Sequence, residues 1–318
     1  MRTVTRLAGF AVGLAAVFSA TYGIGRVVDR TPVVEGRHDA HAPQATGADD
    51  DAVDRLPGGL LVSDRGYTLD PVDAQPDEFA FRITGPDGHP VTRYDVAHDK
   101  RMHLIVARRD LSGFRHVHPE LAPDGTWRVE TPLAGAGQWR AFADFTPTGG
   151  EPLTLGVDVT IPGELTERPL PAPATTTTVD GYTVTLTGAP QPGHTSPLTL
   201  TVSRDGQPVT DLEPYLGAYG HLVALRRGDL AYLHVHPDGT PGDGRTRPGP
   251  AVTFLVEVPS AGSYRLYLDF RHGGAVHTAE FTVSTGTSPA VAPPTESDPS
   301  GPAPTDGAEH GTPGHGHN

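Results

Sequence analysis

The chain has no cysteine among its 318 residues, which excludes a disulfide framework, a thiolate metal site and a cysteine nucleophile. Any bound metal must therefore use histidine, carboxylate, methionine or backbone ligands. Basic residues are scarce as well: 24 Lys and Arg stand against 38 Asp and Glu, for a net charge of −14. Binding to phosphate backbones needs a basic surface, so nucleic acid is not an expected partner. Hydrophobic residues make up only 36% of the chain, beside 39 Gly and 33 Pro. That balance favours turn-rich β structure and linkers over long helices. No Gly-x-Ser-x-Gly elbow of a serine hydrolase occurs, and helical periodicity is lacking beyond the N-terminal apolar stretch.

That stretch runs for 18 residues from Leu7 to Ile24, preceded by Arg2 and Arg6 and closed by Arg26. It is shorter than the ~20 residues of a membrane helix and longer than the ~7–15 of a signal-peptide core. A cut after Ala20 would place Phe18 where a small residue is needed. Residues 1–30 are therefore read as a signal anchor, with a cleaved signal peptide as the alternative. Either reading puts the rest outside the cytoplasm, as a single-pass protein of the cell membrane or as a secreted one. Residues 31–57, with Asp49, Asp50 and Asp51 at their centre, read as a flexible acidic spacer.

Two folded blocks are expected, over 58–163 and 179–284, joined by a Pro/Thr-rich linker over 164–178. A tail over 285–318, carrying His310, His315 and His317, is expected to be disordered. The blocks repeat one another: the run from Asp87 to Thr92 matches Asp205 to Thr210, and Trp139, Asp144 and Phe145 match Tyr264, Asp269 and Phe270. Leu153, Leu155, Val157, Val159 and Ile161 alternate with polar or small residues, the period of a strand. Tyr182 to Leu186 and Leu198 to Val202 do the same. About seven short strands in roughly 105 residues fit an all-β protein of two tandem Ig-like β-sandwich domains, an internal duplication.

His-Val-His-Pro occurs twice, from His116 to Pro119 and from His234 to Pro237. His103 precedes the first copy as His221 precedes the second, and each of these histidines stands 118 residues from its counterpart. Residues separated by one position share a strand face. If Arg108 pairs with Gly113 in a hairpin, then His103 faces His118, and His103, His116 and His118 project from one side. A slip of one residue would turn His103 to the other face. Three converging imidazoles suit zinc or copper. A single strand histidine is more often a hydrogen-bonded surface or core residue, and Pro119 and Pro237 most simply end their strands.

The copies differ in their surroundings. His98 and Met102, a potential soft ligand, are replaced by Leu216 and Gly220 in the second block. His272 and His277 stand near the second block's Gly-Gly turn, where they can serve as extra ligands. Asp144 and Asp269 are candidates for a fourth ligand or for an acceptor that orients an imidazole. They can equally be solvent-facing strand residues.

The run from Asp95 to Val106, with Asp110, Leu111, Phe114 and His116 to Pro119, resembles a family of exported bacterial proteins. Its pattern is His-x-Lys-x-x-His-Leu-Ile-Val followed by Asp-Leu-x-x-Phe-x-His-x-His-Pro. The resemblance implies an extracytoplasmic β protein without assigned catalysis, associated with copper handling. It carries His98, His103, His116 and His118 over as candidate ligands. The second block keeps His221, His234 and His236 and departs at His98.

A two-domain cupin would need a Glu four or five residues beyond the second histidine, whereas Glu120 and Asp238 come two residues after it. No acid–base group for turnover is recognisable beside the histidines. The expected function is therefore not enzymatic. It is the binding of a copper or zinc ion for buffering, delivery or tolerance, with the membrane and a metal-transport protein as partners. A metal-free Ig-like adhesion or scaffold protein is the alternative, and a two-domain cupin-like metalloenzyme the second.

Overall fold

The computed structural model describes residues 56–75, 77–130, 133–235 and 237–286. The N-terminal apolar stretch and most of the spacer, His236, and nearly all of the expected tail lie outside the described residues. Among the described residues, no helix is long and apolar enough to cross a membrane.

Domain 1 holds β1 (Ser63–Asp64), β2 (Tyr67–Val72), β3 (Glu78–Thr84), β4 (His103–Arg108), β5 (Arg115–Val117), β6 (Glu120–Leu121), β7 (Thr126–Glu130), β8 (Gly137–Phe145) and β9 (Leu153–Ile161). Domain 2 holds β10 (Thr176–Val179), β11 (Tyr182–Thr187), β12 (Thr195–Arg204), β13 (Gln207–Pro208), β14 (His221–Arg226), β15 (Tyr232–Val235), β16 (Ala251–Glu257), β17 (Gly262–His272) and β18 (Ala275–Thr285). The Thr176–Thr178 stretch, assigned in sequence to the linker, is instead part of β10 and pairs with β11. Its threonines are β-branched and alternate exposed with half-buried, as an edge strand does.

Each domain is a sandwich of two antiparallel sheets. Domain 1 packs β1-β2-β3-β7-β6 on β5-β4-β8-β9. Domain 2 packs β10-β11-β12-β13, with β16 also on β12, against β15-β14-β17-β18. This is the Ig-like arrangement, an A-B-E sheet facing a C′-C-F-G sheet. A second Ig hallmark is a Tyr near the start of strand F bonding back across the corner. In domain 2 the Tyr264 hydroxyl donates to the Ser260 carbonyl at 2.8 Å. In domain 1 the equivalent Trp139 donates its indole N–H to the Gly135 carbonyl at 3.1 Å.

The inner faces form one core per domain, around Phe81, Leu104, Trp127 and Trp139 in the first and around Leu200, Phe254, Leu268 and Phe281 in the second. The outer faces of the two C′-C-F-G sheets then pack on one another. Ile105, Ala107, Leu111, Phe114 and Phe142 of domain 1 form a third buried cluster with Val223, Leu225, Leu230, Tyr232 and Tyr267 of domain 2. Strands β4 and β14 are thus buried on both faces, which accounts for their unbroken apolar runs, Leu104 to Ala107 and Leu222 to Leu225.

A short segment after the spacer joins this junction. Arg140 is buried and donates to the carbonyls of Gly59 and Leu60 while pairing with Asp158. A Cβ on Gly156 would overlap the Gly59 carbonyl, so only glycine lets the segment lie against β9. From there Gly58 bridges to Tyr232 of domain 2.

Candidate metal centre

The histidines sit at the edge of the interdomain cluster. Strand β4 pairs with β5 through Leu104–Val117, Ile105–His116 and Val106–Arg115. This is the hairpin register that the sequence spacing predicts, and it brings His103, His116 and His118 to one side. Their ring centroids stand 5.4 Å (His103–His116), 5.0 Å (His103–His118) and 4.9 Å (His116–His118) apart. One nitrogen of each lies within 4.8 Å of the others.

Hydrogen-bond partners fix the tautomers. The His103 Nε2–H donates to the Ala97 carbonyl at 3.0 Å, which leaves Nδ1 without a proton. The His116 Nδ1–H donates to the Asp269 carboxylate at 2.9 Å, so that in a neutral ring Nε2 is the nitrogen that carries the lone pair. Those two nitrogens face each other at 3.1 Å. A proton on one of them makes this contact a hydrogen bond; with both rings neutral the two lone pairs would repel, and a shared cation would take the proton's place. Nitrogens on one tetrahedral ion with ~2.0–2.1 Å bonds stand about 3.3 Å apart, close to what is seen.

His118 completes the group. Its Nε2 is buried with no hydrogen-bond partner among the described residues. Burial, and then the neighbouring His116 and His103, push its pKa down to about 2, so its imidazole stays neutral. A buried, unpartnered nitrogen lone pair costs free energy unless something fills it. In their neutral forms all three histidines offer the kind of nitrogen that a borderline metal ion takes.

The Ala97 carbonyl is held by a tight turn. Ala97 and Lys100 exchange both backbone hydrogen bonds, and the central His98 and Asp99 have φ of 50° and 61°. Positive φ at both central positions is the type I′ hairpin geometry, which Asp and His tolerate better than most residues. Domain 2 repeats the device. Tyr215 and Ala218 exchange the same bonds, and the His221 Nε2–H donates to the Tyr215 carbonyl at 2.9 Å.

The remaining candidates divide by strand face. Asp144 lies directly across from His103 and Asp269 directly across from His221, each on the outer face of its sheet. Asp144 accepts from Thr154 and from Tyr232 of domain 2, both at 3.3 Å. His98 projects toward both domains, with ring centroids 6.0 Å from His103 and 5.6 Å from His221. His221 is buried, its ring 6.3 Å from that of His116. His234 occupies β15 opposite Val223. A cavity of about 450 Å³ beside the cluster is bordered by Gly58, His98, His103, Asp144 and Tyr232.

Three expectations need correction. Met102 is not beside the histidines: it is 1% exposed within the domain 1 core, because it shares the inward face with Leu104 and Val106. His272 and His277 fall on the inward side of β17 and β18, opposite to Asp269. Their nitrogens are engaged: His272 with the Tyr182 hydroxyl (2.7 Å) and Asp211 (3.1 Å), His277 with Asp180 (2.8 Å) and the His272 carbonyl (3.3 Å). Asp269 does orient an imidazole, but it is His116 of the other domain. The sequence motif carries no sign of this crossing. The unbroken apolar runs of β4 and β14 are the signal, since they require something to cover the outer sheet faces.

A family model for a domain of unknown function (DUF8832) matches residues 66–163 and again 177–287. The chain belongs to the DUF8832 family, with the domain present twice. The family's description names no metal, and the copper association suggested by the sequence resemblance gains nothing from the match. No curated protein matches the chain. Among solved structures the chain is similar to the chicken CNTN1 FN1-FN3 domains, at 11% identity over 72% of this chain and 66% of that one, TM-score 0.19. It is also similar to a putative membrane anchored protein from Corynebacterium diphtheriae, at 11% identity over 70% and 57% of the two chains, TM-score 0.21. A third is the N-terminal Ig1-2 module of Drosophila receptor protein tyrosine phosphatase DLAR, at 12% identity over 73% and 97%, TM-score 0.18. Strand order and corner hydrogen bonds, rather than these likenesses, establish the Ig-like sandwich.

Proposed function

We propose that the protein binds a copper or zinc ion through His103, His116 and His118, and that it serves outside the cytoplasm in metal buffering, delivery or tolerance. The observation that carries this reading is the convergence of three imidazoles, with the far nitrogens of His103 and His116 each held by an acceptor and the His118 Nε2 buried without a hydrogen-bond partner among the described residues. Such a set matches the nitrogen ligands of zinc and copper sites. Copper agrees with the family resemblance, and zinc with an all-imidazole set from which the Met102 thioether is withheld by the core. Membrane attachment through residues 1–30 would hold the two domains at the outer surface, where a metal-transport protein is the natural recipient. Binding is favoured over turnover because the contacts of the triad, to the Ala97 carbonyl and to Asp269, orient its imidazoles.

Metal content tests the proposal. The full chain in detergent, incubated with limiting Zn²⁺ or Cu⁺ and desalted, should retain roughly one ion per chain. Changing His116 and His118 together to Ala should abolish retention. Equal metal in the double variant and the parent would refute the site.

A further inference from the structure

Domain 2 contributes more to this site than a wall. Asp269 stands on β17 of domain 2, yet its Oδ2 accepts from Nδ1 of His116 on β5 of domain 1 at 2.9 Å. Both side chains are almost fully buried, at 5% and 2% exposure. The other carboxylate oxygen accepts from the Thr278 hydroxyl at 2.6 Å, which fixes the carboxylate plane. Around this pair the domains are joined by an approximate two-fold arrangement of aromatic contacts. Phe114 stacks on Tyr267 with centroids 3.9 Å apart, and Phe142 on Tyr232 at 5.4 Å. The Tyr267 hydroxyl also reaches the Leu111 carbonyl at 2.6 Å.

We propose that Asp269 is a positioning residue for the histidine triad of the opposite domain, so that metal uptake and docking of the two sandwiches form one coupled equilibrium. The inference rests on the metal-binding reading above. A carboxylate bonded to the far nitrogen of a ligating histidine selects the tautomer, holds the ring and raises its basicity. Here that carboxylate arrives only when domain 2 is docked. An undocked domain 1 would leave His116 Nδ1 without this acceptor, with only the contact to His103 to hold the ring. Conversely, Asp269 is a buried carboxylate, and positive charge on a metal at His116 would offset the cost of its desolvation. Linkage makes the effect reciprocal: whatever docking adds to metal affinity, metal adds to docking.

Asp269→Asn in the full chain, nearly isosteric, tests this with three readouts. Zn²⁺ affinity by chelator competition should fall about 10–100-fold. The imidazole ¹⁵N spectrum of His116 in metal-free protein should move from the Nδ1–H form toward a mixture. Hydrogen exchange in β14 and β17, which carry none of the triad, should slow when Zn²⁺ is added to the parent protein but not to the variant. Thr278→Val keeps the carboxylate and removes only its donor, so it serves if the first variant does not fold. It should weaken Zn²⁺ by roughly two- to tenfold, a fraction of the loss expected for removing an orienting partner outright. If the parent binds Zn²⁺ and both variants match it in affinity and tautomer, the coupling is wrong and the metal site stands. If the parent itself binds neither Zn²⁺ nor Cu⁺, the metal reading fails, and this inference fails with it.

Discussion

Domains 1 and 2 share their scaffold down to the register of His103 on Asp144 and of His221 on Asp269, yet they bring different chemistry to the surface between them. Domain 1 presents its imidazoles as a converged group. Among the described side chains, domain 2 presents hydroxyls and a carboxylate that reach across: Tyr267 to the Leu111 carbonyl, Tyr232 to Asp144, and Asp269 to His116. Both interdomain aromatic stacks pair a phenylalanine from domain 1 with a tyrosine from domain 2. The two half-interfaces keep the same His–Asp register while differing at other matched positions. The turns before β4 and β14 also differ, with His98 in domain 1 and the buried Leu216 at the matching position of domain 2.

If docking is what makes the two halves complementary, disrupting the apolar interface should have the largest effect. Phe114 is 4% exposed, and its stacked partner Tyr267 is fully buried. Phe114→Ala should cost about 3–5 kcal/mol, the usual loss for truncating a buried aromatic. Urea denaturation of parent and variant measures it, and a change below about 1 kcal/mol would mean the domains are only loosely apposed. Next in size, the asymmetry should appear in metal affinity. His103→Ala removes a triad nitrogen and should lower Zn²⁺ affinity by about 100-fold or more, the upper end of what losing a support for a ligand costs. His221→Ala, the matched change in domain 2, should lower it less than about tenfold. Equal losses in a competition titration would show that the two domains contribute alike.

Much of this was legible in the sequence because the relevant information is periodic. Alternation in β9 and β11, the 118-residue offset of the histidines and the Gly-containing hairpin loop point to strands, duplication and register; β9 and β11 form, the family domain matches twice, and Ile105 pairs with His116. What could not be read were contacts that depend on docking two units. Nothing near Asp269 in sequence marks His116, 153 residues earlier, as its partner. Met102 was misplaced for a local reason. Beside His103 in sequence, it points to the opposite face in space, so adjacency misled where alternation would have corrected it. His272 and His277 failed in the same way, facing Tyr182 and Asp180 while Asp269 faces the interface.

Acidification offers a subtler probe of the same asymmetry. In the folded metal-free protein, burial and then the neighbouring histidines push the His118 pKa down to about 2, whereas the unfolded chain titrates near the ordinary value of 6.5. Between these values the unfolded state holds a proton that the folded state lacks, so stability falls as pH drops below about 6.5. Urea midpoints at pH 7.5 and 5.5 should differ in the parent and differ less in His118→Gln. An unchanged difference would place the acid sensitivity elsewhere.

The smallest expected effect concerns the one corner that each domain closes with a different ring. Tyr264 in domain 2 and Trp139 in domain 1 are both nearly inaccessible, and each donates one hydrogen bond to a carbonyl four residues upstream. Tyr264→Phe removes the donor while keeping the ring, so the cost should be that of a single hydrogen bond, about 1 kcal/mol. Trp139→Phe removes the same bond and also part of a bicyclic ring from a close-packed core, so a cavity adds to its cost. Trp139 also stacks beneath Arg108 at 5.8 Å, a contact that phenylalanine would retain only in part. Denaturant midpoints should therefore rank Trp139→Phe as clearly the more damaging. Equal losses would mean that the corner hydrogen bond, rather than the packing around it, dominates in both domains. Neither change should alter Zn²⁺ affinity more than a few-fold, because both residues face away from the histidines, into the sandwich cores.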